Sequence, residues 1–392
     1  MKKHTIGLVI GTRPELIKMA PVVLALKADP AFKPVVIFTG QHAQIVADMA
    51  PLFGIDLDIT MDVMRPGDTL AALNARILAG AEPVLSALKP DLIVVQGDTT
   101  SVMAMTLAAF YQHIPVAHVE AGLRTGNLAL PFPEEANRKL VGCLASLHFA
   151  PTQRSADALM AEGVKREQIA ITGNTVVDAL DMMRERAAAT PLVQDWRARV
   201  QGRRLILATI HRRESWGEGL ANACAALADI VAETPDVELI LPVHPGVAVR
   251  DTVRGLLGGK DRIHLIDPLD YLSFIGLAAL ASLIITDSGG LQEEGAALGK
   301  PVIVLRNETE RPEAVEAGAA FLVGTDRARI VSKARELLSG AAHAASLVSN
   351  PFGDGYAAAR IRRSITHWFA TGSCALPHED EFVPGRSATI AA

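Results

Sequence analysis

Three carboxylates stand where they could move protons. Asp98 follows an apolar run ending at Val95, and Glu120 follows the next such run, ending at Val119. Glu134 lies in Pro133-Glu134-Glu135, which reads as the first turn of a helix. Taken singly, each has a structural job: Asp98 capping a helix that begins at Thr99, Glu134 pairing with Arg138 one turn on, Glu120 binding a loop amide. Converging on one crevice, they would supply acid and base groups for proton transfer at carbon and oxygen.

A second group of residues suits anions. Gly11-Thr12-Arg13-Pro14-Glu15 closes the first apolar run. Its glycine permits a tight turn, its proline fits the start of a helix, and helix N-termini favour negative charge. Arg13 and Lys18 extend towards a diphosphate, or else are solvated cations. Asp287-Ser288-Gly289-Gly290-Leu291-Gln292-Glu293-Glu294 repeats the arrangement later in the chain. There two glycines let backbone amides approach a phosphate, Ser288 adds a hydroxyl, and Glu294 either accepts from a ribose diol or answers the helix dipole. His211-Arg212-Arg213 ends another strand, where it serves a phosphate or leaving group or forms a basic surface loop; His244-Pro245-Gly246 follows one strand later.

The elements that must position these residues alternate short β-branched runs with longer Ala/Leu-rich stretches. Strands are predicted at His4–Ile10, Pro34–Phe38, Asp91–Val95 and Pro115–Val119, with helices from Pro14 to about Ala28 and over Thr99–Tyr111. The rhythm restarts with strands at Arg204–Thr209, Glu238–Val243, Arg262–Leu265, Leu283–Thr286 and Pro301–Leu305. Continuous apolar strands belong to parallel sheets buried on both faces, so the reading is α/β with two doubly wound Rossmann-like domains joined near Thr172–Ala189. Ligands of such sheets bind beyond the carboxyl ends of the strands, which makes the cleft between the domains the expected site.

Composition narrows the function. With 392 residues and 49% hydrophobic content, the chain is long enough for two cores. A formal charge of -5, from 38 Lys and Arg against 43 Asp and Glu, provides no basic face for a nucleic acid. Cys143, Cys224 and Cys374 are scattered, without the spacing of a thiolate metal site or a disulfide framework, and suit a reducing cytosol. Ile6–Ile10 meets Arg13 too soon for an export signal, and the apolar run Leu272–Ile285 is shorter than the roughly 20 residues of a membrane span. No membrane partner is expected, and the expected location is cytoplasmic. The Gly295–Pro301 stretch has the wrong glycine spacing for a P-loop, no GxGxxG follows a strand, and Asp56-Leu57-Asp58 reads as an exposed loop. No metal or bound cofactor is expected.

Taken in order, these landmarks resemble the non-hydrolysing UDP-N-acetylglucosamine 2-epimerases of glycosyltransferase-B fold. The match runs through Gly11–Glu15 with Lys18, Gly97-Asp98-Thr99-Thr100, His118–Thr125, Pro133–Arg138, Gly173-Asn174-Thr175, His211–Glu214, Asp287–Glu294, Arg311-Pro312-Glu313 and Asn350–Gly355. The resemblance implies reversible inversion at C2 of UDP-GlcNAc to give UDP-ManNAc, through expulsion of UDP to a 2-acetamidoglucal and its re-addition. It implies Asp98, Glu120, Glu134 and His211 as catalytic residues. It implies Arg13, Lys18, Arg138, Phe274, Ser288, Gly289, Gly290, Glu294 and Arg311 as substrate-binding, with Phe274 beside uracil and Glu294 on the ribose. A second UDP-GlcNAc would act as an activator at Gln41, His42, Gln44, Arg65, Glu135, Arg212 and His244, and the protein would be a homodimer. Gln96, Ser215, Gly246 and Leu269 depart from the family pattern, Gln96 standing where His is frequent.

The domains expected on this reading are 1–172, completed by a C-terminal helix at about 364–373, and 173–363, with a flexible tail over 374–392. Two rival enzymes remain, a C2 epimerase of a modified UDP-sugar of the 2,3-diacetamido uronic acid type and a metal-independent glycosyltransferase. A third rival is a silent nucleotide-sugar sensor. The three carboxylates weigh against the last two.

Overall fold

The structure is a computed structural model that describes residues 3–65, 67–211, 217–339 and 350–386. Two compact units appear: Met1–Ala179 together with Gly353–Ala392, and Leu180–Phe352. Among the described residues, no helix is long and apolar enough to cross a membrane.

The first unit holds seven strands: β1 (His4–Ile10), β2 (Phe32–Phe38), β3 (Ile59–Thr60), β4 (Leu92–Gln96), β5 (Val116–Val119), β6 (Leu147–Ala150) and β7 (Ile169–Ile171). They lie in the order β3-β2-β1-β4-β5-β6-β7, every neighbouring pair parallel. Every residue of β4, β5 and β6 is buried, as expected of strands covered by helices on both faces. The order reverses between β1 and β4, so the loops after those two strands diverge and leave a crevice at the sheet's edge.

The second unit repeats the plan with β8 (Arg204–Thr209), β9 (Val237–Pro242), β10 (Ile263–Ile266), β11 (Leu283–Thr286), β12 (Val302–Val304) and β13 (Ala320–Leu322). Their order is β10-β9-β8-β11-β12-β13, again all parallel, with the reversal between β8 and β11. One side of this sheet packs around Leu227, Ile230, Leu239 and Ile285, the other around Leu207, Ile240, Ile284 and Phe352.

The units part between Ala179 and Leu180, inside the helix Thr175–Ala188 and within the stretch Thr172–Ala189 read as the join. The first turn of that helix is tied to the returning chain: buried Asp178 accepts the Ala357 and Ala358 amides at 3.3 and 2.8 Å. Those amides open the C-terminal helix Ala357–Thr371, which starts well before the expected 364. The segment after Gly372, expected to be flexible, is packed as far as it is described. Cys374, Leu376 and Phe382 are buried, the Phe382 amide donates to the Ile171 carbonyl at 2.9 Å, and Glu381 accepts from Arg166 at 2.6 Å. A second ion pair, Arg363 to Asp380 at 2.8 Å, holds the same segment.

Candidate active site

The loops at the first switch point are built around Glu15. Gly11 ends β1 with no room for a side chain, since a Cβ there would lie 2.5 Å from Ser101 Oγ and 2.8 Å from Thr39 Oγ1. Thr12 caps the helix Arg13–Lys27, and Glu15 folds back to accept the Gly11 and Thr12 amides, a reciprocal capping box. The other Glu15 oxygen accepts from Thr99 Oγ1 at 2.6 Å. Glu15 thereby joins the loop after β1 to the residue following Asp98. Burial raises its carboxyl from 4.5 to about 7, against the opposing effect of these hydrogen bonds.

One turn further along the same helix, Lys18 places its Nζ 2.7 Å from both oxygens of Glu120. The β4–β5 register pairs Gln96 with Val119, so the residues that follow, Gly97 and Glu120, are neighbours. Gln96 Nε2 also donates to Glu120. The glutamate is buried and adopts φ +64°, left-handed backbone that non-glycine residues seldom occupy. Such an outlier at the end of a strand in a crevice points to function.

Asp98 is held by Arg138, whose Nε and Nη2 lie 2.8 and 2.7 Å from Oδ2. Asn137 donates to the Asp98 carbonyl at 2.8 Å. Arg138 also pairs with Glu135 at 3.0 Å, and Glu135 accepts the Gly126 amide at 3.0 Å. All three residues belong to the helix Glu134–Leu144, so Glu134, half-buried at its first position, is carried on the element that grips Asp98. Beneath them His118 Nε2 lies 2.7 Å from the Gly97 carbonyl. Desolvation, partly offset by the bond to Gly97, pushes His118 down to about 4 and leaves the ring neutral. Asp98 and Glu120 thus lie after adjacent strands of the first unit, bound to Arg138 and Lys18 respectively, and Glu134 opens the helix that carries Arg138.

Among the residues assigned to a second ligand, Glu135 is wholly buried and bound as described. Gln41 accepts from Ser101 at 2.8 Å, Gln44 donates to Asp48 at 2.8 Å, and Arg65 lies 3.3 Å from Asp62. His42 is held below its ordinary value by partial burial and by the charge of Arg13. In the second unit His244 Nδ1 accepts the Gly246 amide at 3.0 Å. Arg212 lies outside the described residues, as do Arg213, Glu214 and Ser215.

At the second switch point, Thr209 and Thr286 pair in the β8–β11 register and their hydroxyls meet at 2.7 Å. The chain then delivers His211 and Asp287 side by side. Asp287 is wholly buried; its Oδ2 accepts the His211 amide at 3.0 Å and its Oδ1 lies 3.1 Å from His211 Nδ1. Next come Ser288, whose amide donates to Thr286 Oγ1 at 2.9 Å, and Gly289 at the start of the helix Gly290–Ala297. A Cβ on Gly289 would sit 2.8 Å from Arg311 Nη1. Arg311 is buried against that loop and neutralised by Glu293, at 2.6 Å from its Nε, and by Glu310. Its charge is therefore shared with two carboxylates. Glu294 is half-buried on the same helix, and Phe274 is half-buried against the second unit's core from the helix Tyr271–Leu280.

Glu15, Asp287, Glu293 and Glu310 were not singled out for roles by the sequence. A signal for Glu15 was present, the Thr-x-x-Glu pattern of a capping box. Asp287 needed the knowledge that β8 and β11 are neighbours. Among the described residues, no group of three or more His, Cys, Asp or Glu is placed to hold a metal ion.

Comparison with known proteins places this geometry among relatives. The UDP-N-acetylglucosamine 2-epimerase family profile matches residues 24–366. The UDP-N-acetylglucosamine 2-epimerase of Escherichia coli K12 is 48% identical over 364 residues, 91% of this chain and 97% of that one. The crystal structure of UDP-GlcNAc 2-epimerase from Neisseria meningitidis bound to UDP-GlcNAc superposes with a TM-score of 0.88 at 39% identity, covering 93% of this chain and 100% of that one. The enzyme from Methanocaldococcus jannaschii, in complex with UDP-GlcNAc and UDP, gives 0.78 at 33% identity, covering 93% and 99%.

Proposed function

Since the chain belongs to the UDP-N-acetylglucosamine 2-epimerase family, we propose that its residues divide the family's reaction between the two switch points. The fold is that of the glycosyltransferase-B class, and the activity is that of an isomerase that interconverts UDP-GlcNAc and UDP-ManNAc. The C2 proton has no adjacent carbonyl to acidify it, so direct abstraction is unfavourable. Expelling UDP from C1 as a base takes the C2 proton forms a C1=C2 double bond, the 2-acetamidoglucal. Protonation of C2 on the other face with return of UDP to C1 then completes the inversion. Bonds and electrons balance without net oxidation.

In this scheme Asp98, Glu120 and Glu134 are the acid/base set, and Lys18 and Arg138 keep two of them paired with cations beside the sugar. The second switch point stabilises the departing diphosphate through His211, Ser288 and the amides at Gly289 and Gly290. Arg13 adds charge from the first unit, and Glu294 and Phe274 take the ribose and uracil. Arg311 serves chiefly to brace the diglycine loop, since Glu293 and Glu310 occupy its guanidinium. What supports the reading is that, within each unit, most of these residues follow the carboxyl ends of strands beside its switch point, where doubly wound sheets bind ligands.

Three further assignments belong to the same proposal. The protein acts as a homodimer, a second UDP-GlcNAc binds at Gln41, His42, Gln44, Arg65, Glu135, Arg212 and His244 as an activator, and the enzyme works in the cytoplasm, a location that the unpaired thiols of Cys143, Cys224 and Cys374 suit. Proton NMR of the protein with UDP-GlcNAc in deuterated buffer tests the central scheme. UDP-ManNAc should form with deuterium at C2; epimerised product that retains protium there refutes the elimination route.

A further inference from the structure

We propose that Asp287 is a positioning residue for His211, setting the imidazole so that Nδ1 faces the carboxylate and Nε2 is presented to the nucleotide. The inference rests on the reading of His211 as a group that meets the departing UDP. It comes from the sheet. β8 and β11 are parallel neighbours with Thr209 opposite Thr286, and the hydroxyls of that pair meet at 2.7 Å, locking the strand ends together. The Asp287 amide continues the ladder by donating to the Thr209 carbonyl at 3.4 Å. The next side chains are therefore delivered to each other by backbone geometry rather than by the reach of a loop.

The two residues differ sharply in environment. The Asp287 side chain is wholly shielded, whereas that of His211 is 45% exposed. One hydrogen bond joins them, Oδ2 accepting the backbone amide at 3.0 Å, and Oδ1 stands 3.1 Å from Nδ1 outside hydrogen-bond geometry. A buried acceptor beside Nδ1 favours the tautomer that carries its proton there, which leaves Nε2 as the outward nitrogen.

Asp287→Asn separates the two jobs. The asparagine oxygen can still accept the His211 amide, while its NH2 group can donate to Nδ1 and reverse the tautomer. The variant is expected to bind UDP within about threefold of the parent while kcat falls on the order of 100-fold. Nitrogen-15 NMR of the His211 ring, at a pH where it has lost its extra proton, should show Nδ1 protonated in the parent and Nε2 protonated in the variant. In a His211→Gln background, Asp287→Asn should add almost nothing to the loss of kcat, because both changes remove the same device. Losses that multiply instead would show that Asp287 acts independently of the ring and overturn the proposal. A parent ring protonated at Nε2 would overturn it without any variant, which keeps the test decisive even if Asp287→Asn fails to fold. Full turnover by His211→Gln would sink the underlying reading of His211, a failure distinct from the multiplied losses that refute only the positioning.

Discussion

Glu15→Gln should make the first unit more stable at alkaline pH, the reverse of what removing a buried, fully bonded charge usually does. Glu15 is about 1% exposed and accepts the Gly11 and Thr12 amides and the Thr99 hydroxyl, yet burial still raises its carboxyl from 4.5 to about 7. A raised carboxyl means that the fold prefers the neutral form more strongly than the unfolded chain does. Its stabilising contribution is therefore complete below about pH 4.5 and is lost as the pH climbs through about 7. That span corresponds to roughly 3 kcal/mol. Glutamine is neutral throughout, its oxygen can keep the two amides, and its NH2 can donate to Thr99. The difference in unfolding free energy between variant and parent should be near zero at pH 4.5 and rise towards roughly 3 kcal/mol in favour of Glu15→Gln by pH 8. Asp178, raised by burial to about 7, titrates in the same window with the same sign but is common to both proteins and cancels in the difference. Urea titrations across this range, followed by probes in the first unit, supply the comparison. Parallel curves for the two proteins would refute the claim that Glu15 is held largely protonated near neutrality.

Other substitutions test the remaining contacts. Asp98→Asn should lower turnover by at least about 100-fold while UDP affinity, measured by calorimetry, stays within a few-fold; parental turnover would remove Asp98 from the reaction. Lys18→Met strands the buried Glu120 carboxylate and should cost about 3 kcal/mol of stability, most of it restored in Lys18→Met/Glu120→Gln, where neither charge remains. A double variant no more stable than Lys18→Met would show that the pair is not the source of the loss. Gly11→Ala pushes a methyl to within 2.7 Å of the Ser101 Cβ and should cost about 1–3 kcal/mol by thermal unfolding, with partial rescue by Ser101→Gly.

Nine strands were legible as short runs dominated by apolar and β-branched residues: β1, β2, β4, β5, β8, β9, β10, β11 and β12. β3, β6, β7 and β13 were not. They have two to four residues each and offer too little pattern to separate them from loops. Arg138 shows a different limit. Spacing along a helix identifies the neighbours within its reach, but only the fold brings it to Asp98, 40 residues away in the chain. The tail misled for a related reason, since its charged composition hides the two apolar residues and the Glu381 carboxylate that dock it.

What the sequence determined by itself is the family, the doubled α/β plan and the set of polar residues at strand ends, because each is written in local patterns of a few neighbouring residues. Tertiary structure decided which charges those residues keep for a substrate and which they spend on one another. Lys18 is bound to Glu120, Arg138 to Asp98 and Glu135, Arg311 to Glu293 and Glu310, and His211 to Asp287. Within each unit, strand order brought the loops of these residues together, and the low-dielectric surroundings made the pairing of buried charges obligatory.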